Sequence, residues 1–140
     1  MMGVVEGITL VVDETGATRT VDAIDAQPGR GLDGDYHSDL TLIAAEALEG
    51  LCDDSGIRLT GEQSRRNVLT RGIDLNALVG ERFRIGDVEC FGQRLCEPCA
   101  HLERLTDKAG TLRALIHKGG LRADVLTDGE IRTGSKIALC

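Results

Sequence analysis

Aromatic residues are almost absent from this sequence. Tyr36, Phe83 and Phe91 are the only three in 140 residues, and there is no tryptophan. The core must therefore be built mainly from Leu, Ile, Val and Ala. The scarcity argues against the aromatic platforms on which single-strand-binding proteins stack bases. A formal net charge of −7 argues against a general nucleic-acid coat, so we expect no nucleic-acid partner.

Long apolar runs and a recognisable leader are also missing. No stretch approaches the roughly 18 apolar residues of a membrane helix, and the start MMGVVEG lacks the basic region and long apolar core of a signal peptide. We therefore expect a cytoplasmic protein without a membrane partner. Its five cysteines are then expected to be reduced, and their odd number fits poorly with a disulfide framework. The length and a hydrophobic fraction of 41% predict one folded domain over residues 1–140.

Short strands separated by turns dominate the chain. Residues 3–26 predict a hairpin around a turn at 13–16, residues 81–95 predict a second, and residues 121–139 predict a third. Such a pattern is typical of a barrel or a sandwich. We therefore predict a mainly β (α+β) fold.

Two or three short helices interrupt this pattern. Residues 40–51 predict a short strand that runs into a helix, residues 74–80 predict one or two helical turns, and residues 111–120 predict another short helix. Residues 64–70 predict a further strand. Because the helices do not alternate regularly with strands, a doubly wound parallel sheet is disfavoured. The glycine-rich stretch 27–39 is long for a simple connection, which indicates a functional loop.

The stretch RLCEPCAHLE, residues 94–103, contains two cysteines in a Cys-x-x-Cys arrangement. Pro98 suits the first position of a helix, because its missing N–H has no partner to lose there. Cys99 would then lie in the first turn, where unpaired N–H groups and the positive end of the helix dipole favour a thiolate. Glu97 opposes this effect, and Cys96 lies just outside the helix.

Four interpretations of this stretch compete. Cys90 and His101 could complete a zinc site with Cys96 and Cys99, although a second paired knuckle is missing. A thioredoxin-like redox pair would need a βαβ context that the sequence lacks. The cysteines could also be small buried hydrophobes, the expected role of Cys52, Cys90 and Cys140. We favour the fourth interpretation, one reactive or metal-ligating thiol, and assign it to Cys99.

Two further sets of polar residues are candidates for a site. Arg65, Arg66, Asn67 and Arg71 fall within seven residues of an acidic chain, and guanidinium groups suit phosphate or carboxylate. On residue types alone, a solvated strand face whose arginines pair with surface acids is the stronger alternative.

The second set lies in the glycine-rich stretch GLDGDYH. Its Asp35 could orient the imidazole of His37 for proton transfer, or the two side chains could bind a metal. An ordinary turn with a surface histidine is an equal alternative. The sequence contains no P-loop, no dinucleotide-binding fingerprint and no Gly-x-Ser-x-Gly motif.

The order of several segments resembles the MOSC domain, named for the C-terminal domain of molybdenum-cofactor sulfurase. The segments span about residues 30–138 and comprise GLDGDYH, LTLIAAEAL, RRNVLTRGIDLNALVGERFRIGDVECFG, LCEPCAHLE and LRADVLTDGEIRTGSKI. No single segment is specific. The succession Arg-Arg-Asn, Gly-Ile-Asp-Leu, Gly-x-Arg-Phe-x-Ile-Gly and Pro-Cys is fairly specific.

This resemblance implies a distorted β-barrel of the pyruvate kinase barrel type and a family cysteine that matches Cys99. In the pyridoxal-phosphate-linked sulfurases, that cysteine is thought to carry sulfur as a persulfide. In the mitochondrial amidoxime-reducing enzymes, it is the ligand of molybdenum. The resemblance further implies that basic and amide side chains, here Arg66 and Asn67, hold the pterin phosphate, and that His37 lies in a family motif.

Three functions therefore remain open. The first is a MOSC protein in metal–sulfur chemistry, either a sulfurtransferase-like persulfide carrier or a reductase that depends on the molybdenum cofactor. Its partners would be a sulfur-donating protein or an anionic pterin or other small molecule. The second is a non-catalytic module that binds an anionic ligand or a partner protein, and the third is a zinc-stabilised module.

Overall fold

Seven strands of the chain close into a barrel. The computed structural model describes residues 2–96 and 119–140. The barrel strands are β1 Met2–Val11, β5 Leu40–Ala44, β6 Val68–Arg71, β7 Arg82–Ile85, β8 Val88–Leu95, β9 Leu121–Val125 and β11 Lys136–Leu139. Around the barrel the order is β1, β6, β5, β9, β8, β7 and β11, and β11 pairs again with β1.

The first strand is long enough to serve three neighbours. Its beginning pairs with β11, its end pairs with β2, Thr18–Val21, and its other edge pairs with β6. A separate three-stranded sheet consists of β10, Gly129–Arg132, β3, Ala23–Gln27, and β4, Gly31–Leu32. All of these pairings are antiparallel except β5 with β6.

Two short α-helices connect the parallel pair, because a chain that returns in the same direction needs a crossover. Helix α1, Ala45–Ser55, ends at Gly56, whose left-handed backbone lets its N–H bond to the carbonyl of Cys52. Helix α2, Gly61–Ser64, begins with a capping box between Thr60 and Gln63. A 3₁₀ turn, Leu75–Leu78, follows β6 and is capped by Asp74.

The barrel interior is aliphatic, as the composition predicts. Phe83 is its one large aromatic side chain, and it is fully buried with strand residues such as Leu10, Leu42 and Leu121. A smaller cluster under α1 joins Ile43 to helix and loop leucines. Mixed aliphatic packing of this kind removes apolar area from water without needing polar partners inside the barrel.

Most local predictions are confirmed, and two are wrong. The hairpins β1–β2 and β7–β8 form, and the strand over 40–44 runs into a helix. Residues 121–139 do not form a hairpin, because β9, β10 and β11 each pair with strands from elsewhere in the chain. The strand predicted at 64–70 begins only at Val68, since Ser64 ends α2 and Arg65 has a left-handed backbone.

The helix predicted at 111–120 falls almost entirely on residues outside the described part of the chain. Within the described part, no helix combines the length and the apolar character that a membrane span requires.

Candidate functional site

Asn67 and Asp35, two of the predicted site residues, contact each other. The Asn67 amide Nδ2 donates to Oδ1 of Asp35 over 3.1 Å and to the carbonyl of Thr9 over 3.0 Å. Its Oδ1 accepts from the backbone N–H of Thr41 over 3.0 Å and from the Thr41 hydroxyl over 3.2 Å. Asn67 is only 3% exposed. Through these bonds its amide joins β1, β5 and the glycine-rich loop.

Asp35 fixes that loop to the end of β1. Its Oδ1 also accepts the N–H of Val11 over 2.7 Å, and its Oδ2 accepts the N–H of His37 over 3.2 Å. The Tyr36 N–H donates to the Val11 carbonyl over 2.7 Å. His37 is exposed, and its ring meets that of Tyr36 edge-on, with 5.1 Å between centroids.

Burial raises the pKa of Asp35, because removal from water penalises the carboxylate. Hydrogen bonds from Val11, His37 and Asn67 and the charge of His37 act in the opposite direction but are smaller. A half-buried carboxylate whose pKa is raised can take up and release a proton more readily near neutral pH than an exposed one.

Asp35→Asn should therefore change how stability depends on pH. The folded protein holds the Asp35 proton more tightly than the unfolded chain, so the buried charge costs stability at neutral pH. As pH falls through the raised pKa toward 3.8, this cost disappears in the wild type, while the neutral amide of the variant never carries it. Urea unfolding between pH 4 and pH 7.5 should show the wild type gaining stability relative to the variant as pH falls. A stability of the wild type relative to the variant that stays constant, or that decreases as pH falls, would contradict this assignment.

Arg66 contacts both ends of the connection that carries Cys99. Its Nε donates to the carbonyl of Gly119 over 2.8 Å, and its Nη2 lies 3.5 Å from the carbonyl of Cys96. Cys96 is the last residue described before position 97, and Gly119 is the first described after position 118. Arg66 therefore lies where the chain leaves β8 and returns to β9.

Arg65 and Arg71 point to other parts of the molecule. Arg65 donates from Nε to the carbonyl of Gly16 and from Nη1 to that of Gln63, both over 3.0 Å. Arg71 lies at the far end of β6, roughly 13 Å of strand beyond Asn67. It forms ion pairs with Glu6 and Glu49, which matches the surface-pairing alternative for this residue.

The four predicted anion-binding residues therefore do not converge on one ligand. Both N–H groups of the Asn67 amide are used within the protein, and Arg71 is paired with two carboxylates. Arg65 and Arg66 each donate hydrogen bonds to backbone carbonyls. As a set, these residues do not fit the phosphate of a molybdenum pterin cofactor, which needs several donors directed at one point. Anion binding by Arg65 or Arg66 stays a prediction.

Cys96 is the one member of the Cys-x-x-Cys pair among the described residues. It is 7% exposed, and its N–H donates to the carbonyl of Gly120 over 2.7 Å. Cys99 and His101 lie outside the described residues.

The zinc set that includes Cys90 is wrong. Cys90 lies within β8, and the strand continues to Leu95, which places Cys90 and Cys96 roughly 18–20 Å apart. Two sulfur ligands of one zinc lie within about 4.6 Å of each other, given bonds of about 2.3 Å. Among the described residues, no group of three or more His, Cys, Asp and Glu side chains is arranged to hold a metal ion.

The remaining cysteines differ in environment. Cys90 is fully buried, and burial raises the pKa of its thiol to about 12, so it is a core residue that stays protonated at neutral pH. Cys52 is half-buried, whereas Cys140 is exposed, so the buried role expected for Cys140 is wrong. The described cysteines form no disulfide with one another.

A groove of about 610 Å³ lies beside the base of the same connection. Its floor is mostly apolar, and Glu46, Asp74 and Asn76 provide polar groups. Gly120, which accepts the Cys96 N–H, lines it. The volume falls within the range of small-molecule sites. The complete lining among described residues is Ala44, Glu46, Ala47, Gly50, Gly72, Ile73, Asp74, Leu75, Asn76 and Gly120.

Sequence reasoning missed several residues of this region. Thr9 and Thr41 hold the Asn67 amide, and Gly119 and Gly120 receive bonds from Arg66 and Cys96. The glycine pair falls at the end of the helix predicted over residues 111–120, so the sequence pattern gives no sign that it accepts these bonds. The two threonines carried no signal, because their role arises from strand pairing across the barrel.

Comparison with known proteins assigns the chain to a family. The model of the MOSC domain matches residues 30–138. YuaD from Bacillus subtilis superimposes with a TM-score of 0.88 at 19% identity, covering 99% of this chain and 96% of that one. YiiM from Geobacillus stearothermophilus gives 0.77 at 16% identity, covering 99% and 75%.

YiiM from Escherichia coli gives a TM-score of 0.75 at 18% identity, covering 100% of this chain and 70% of that one. No curated protein matches the chain. At these identities the solved structures establish the barrel fold alone, whereas the family model matches well over half of the sequence. The chain therefore belongs to the MOSC domain family.

Proposed function

We propose that this MOSC domain is a sulfur carrier in which Cys99 accepts a sulfane sulfur as a persulfide. The observation that carries the proposal is the position of Arg66, which contacts both ends of the connection that holds Cys99 and is followed by Asn67, the residue that binds Asp35. A groove of small-molecule size reaches the same connection at Gly120.

The chemistry follows from the thiol. The Cys99 thiolate attacks the terminal sulfur of a donor persulfide, a new S–S bond forms, and the donor's own S–S bond breaks. The donor leaves as a thiolate, so no external oxidant or reductant is needed. The proline-set helix start predicted for Pro98-Cys99 would favour the thiolate form.

Described residues would assist in two ways. Asp35, whose pKa is raised by burial, is suited to take or give the proton of the donor or product thiol. The backbone N–H of His37 donates to the same carboxylate, so this histidine lies next to Asp35 in the loop. The groove would receive the small-molecule or peptide portion of the donor. The free thiols of the described cysteines fit a reducing, cytoplasmic setting.

Mass spectrometry combined with metal analysis tests this proposal. Protein isolated under non-reducing conditions, or after exposure to a persulfide donor, is expected to carry one added sulfur atom on the peptide that contains Cys99. One equivalent of molybdenum with a pterin would instead favour the cofactor-binding alternative, and one equivalent of zinc would favour the structural alternative. Protein that carries none of these after donor treatment would support a non-catalytic binding module.

A further inference from the structure

We infer that Arg66 is a positioning residue that joins the two ends of the connection 97–118 and couples them to the Asp35 loop. Its acceptors are protein carbonyls, so this role needs no bound anion. The link to thiol reactivity rests on the sulfur-carrier function proposed above. The structural coupling itself does not depend on that function.

Two strands meet at the guanidinium group. Leu95 of β8 pairs with Leu121 of β9, and the next residues outward remain joined, because the Cys96 N–H donates to the Gly120 carbonyl over 2.7 Å. Arg66 adds a bond to the Gly119 carbonyl and a longer contact to the Cys96 carbonyl. One side chain from a third part of the chain thus bridges both ends of the connection. A planar guanidinium can donate in two fixed directions at once, whereas a lysine ammonium is a single point charge.

The backbone on either side of Arg66 is also held. Arg65 has a left-handed conformation with φ of 58°, which turns the chain sharply at the end of α2. The N–H of Arg66 then donates to the hydroxyl of Ser64 over 3.2 Å, and Ser64 is fully buried. This turn is rare for a residue other than glycine, so the side chain of Arg66 leaves a backbone whose course is well defined.

The Gly119 acceptor cannot move away easily, because the residue after it is packed closely against another strand. Gly120 has a φ of 110°, and a Cβ placed on it would lie 2.0 Å from the carbonyl oxygen of Leu42. The return of the connection is therefore packed directly against the backbone of β5. Because packed backbones of this kind do not deform gradually, the barrel gives Arg66 a fixed acceptor at Gly119, from which its guanidinium can hold the Cys96 end of the connection.

Arg66 and Asn67 are consecutive, and their side chains serve different partners. Arg66 reaches Gly119 and Cys96, while Asn67 reaches Asp35. Displacing one residue of this dipeptide displaces the backbone of the other. The dipeptide therefore connects the loop that carries Asp35 and His37 to the connection that carries Cys99.

Amide hydrogen exchange of the full-length protein tests the inference directly. In Arg66→Lys, the Cys96 amide is expected to exchange roughly tenfold faster than in the wild type, because a lysine ammonium cannot reproduce the fixed geometry in which the guanidinium bridges the two carbonyls. In Arg66→Ala the increase should be larger. Arg65→Lys is the matched control, since Arg65 also donates to backbone carbonyls but contacts neither end of the connection. Slowly exchanging amides of β7 and β8 report whether each variant is folded.

The inference is overturned if Arg66→Lys leaves exchange at Cys96 unchanged, or if Arg65→Lys accelerates it equally. Inorganic phosphate should not alter exchange at Cys96 in the wild type, and protection by phosphate would show that Arg66 acts through an anion.

The pH profile of Cys99 alkylation adds a second readout. In Arg66→Lys it should move toward that of a free cysteine, and an unmoved profile would overturn the link to thiol reactivity.

The two proposals fail separately. A wild-type protein that never forms a persulfide removes the sulfur-carrier function, whatever the exchange of Cys96 shows. Unchanged exchange in Arg66→Lys removes the positioning role, whatever the sulfur chemistry shows.

Discussion

Cys99→Ser is expected to abolish persulfide formation completely. Serine has nearly the same size, but its hydroxyl stays protonated at neutral pH and cannot hold a sulfane sulfur. After treatment with a persulfide donor, mass spectrometry should find an added sulfur on the Cys99 peptide of the wild type and none on that peptide of the variant. If the protein instead retains molybdenum, the same substitution should remove it.

Two other serine variants provide the controls. Cys96→Ser should only weaken sulfur loading, because Cys96 is buried next to Gly120 and supports the base of the connection. Cys140→Ser should leave loading unchanged, although Cys140 is the exposed thiol among the described cysteines. Cys90 needs no variant, since a buried thiol with a pKa of about 12 does not react at neutral pH. Equal loss in Cys99→Ser and Cys96→Ser would show that the two thiols act as a pair.

Asn67→Ala is expected to destabilise the fold by about 3–5 kcal/mol, because it leaves several buried polar groups without a hydrogen-bond partner. The Thr41 N–H, the Thr9 carbonyl and the Asp35 carboxylate would each lose a bond with the amide. For a chain of this size the melting temperature should fall by roughly 10–15 °C. Thermal and urea unfolding monitored by circular dichroism would measure both quantities.

Gln93→Ala is the matched control for that variant. Gln93 also donates from a side-chain amide to an aspartate, Asp124, but on the exposed surface of the barrel. Its loss should change stability by less than about 0.5 kcal/mol.

Asn67→Asp is a third variant that keeps the shape of the side chain and replaces the donor to Asp35 with a second carboxylate. It should be unstable at neutral pH and partly recover in acid, and recovery at high pH would contradict the role of Asp35.

Local patterns in the sequence were sufficient for the elements that depend on neighbours in the chain. The hairpin predicted over residues 81–95 forms, because Phe83 and Ile85 point inward and the chain turns at Gly86, and the helical turns predicted over 74–80 form as a 3₁₀ turn capped by Asp74. The helix predicted after the strand at 40–44 also forms, and it ends where Gly56 adopts a left-handed backbone. Each of these features is decided by residues within one or two turns of the backbone.

Distant pairing was beyond the same reasoning. Three strands after residue 120 resemble a hairpin in sequence, yet each finds its partner in an earlier part of the chain. For the same reason, the polar dipeptide Arg66-Asn67 looked like a ligand site. An asparagine that binds a pterin phosphate and one that joins two strands to a loop carry the same chemical groups. Only the positions of Thr9, Thr41 and Asp35 distinguish the two roles here.

The pairing of β1 with β11 has a kinetic consequence. Met2 lies opposite Ala138, so the contact that completes the barrel joins residues from nearly opposite ends of the sequence. Contacts of such long range slow folding, because a large loop must close before the pairing stabilises it. While the chain is being synthesised, β1 and β7 each lack the neighbour that β11 later provides, and both present unpaired edges. This seam is therefore where a nascent chain would associate with another copy, and destabilising substitutions in β11 should cause aggregation during expression before they reduce the stability of protein that has already folded.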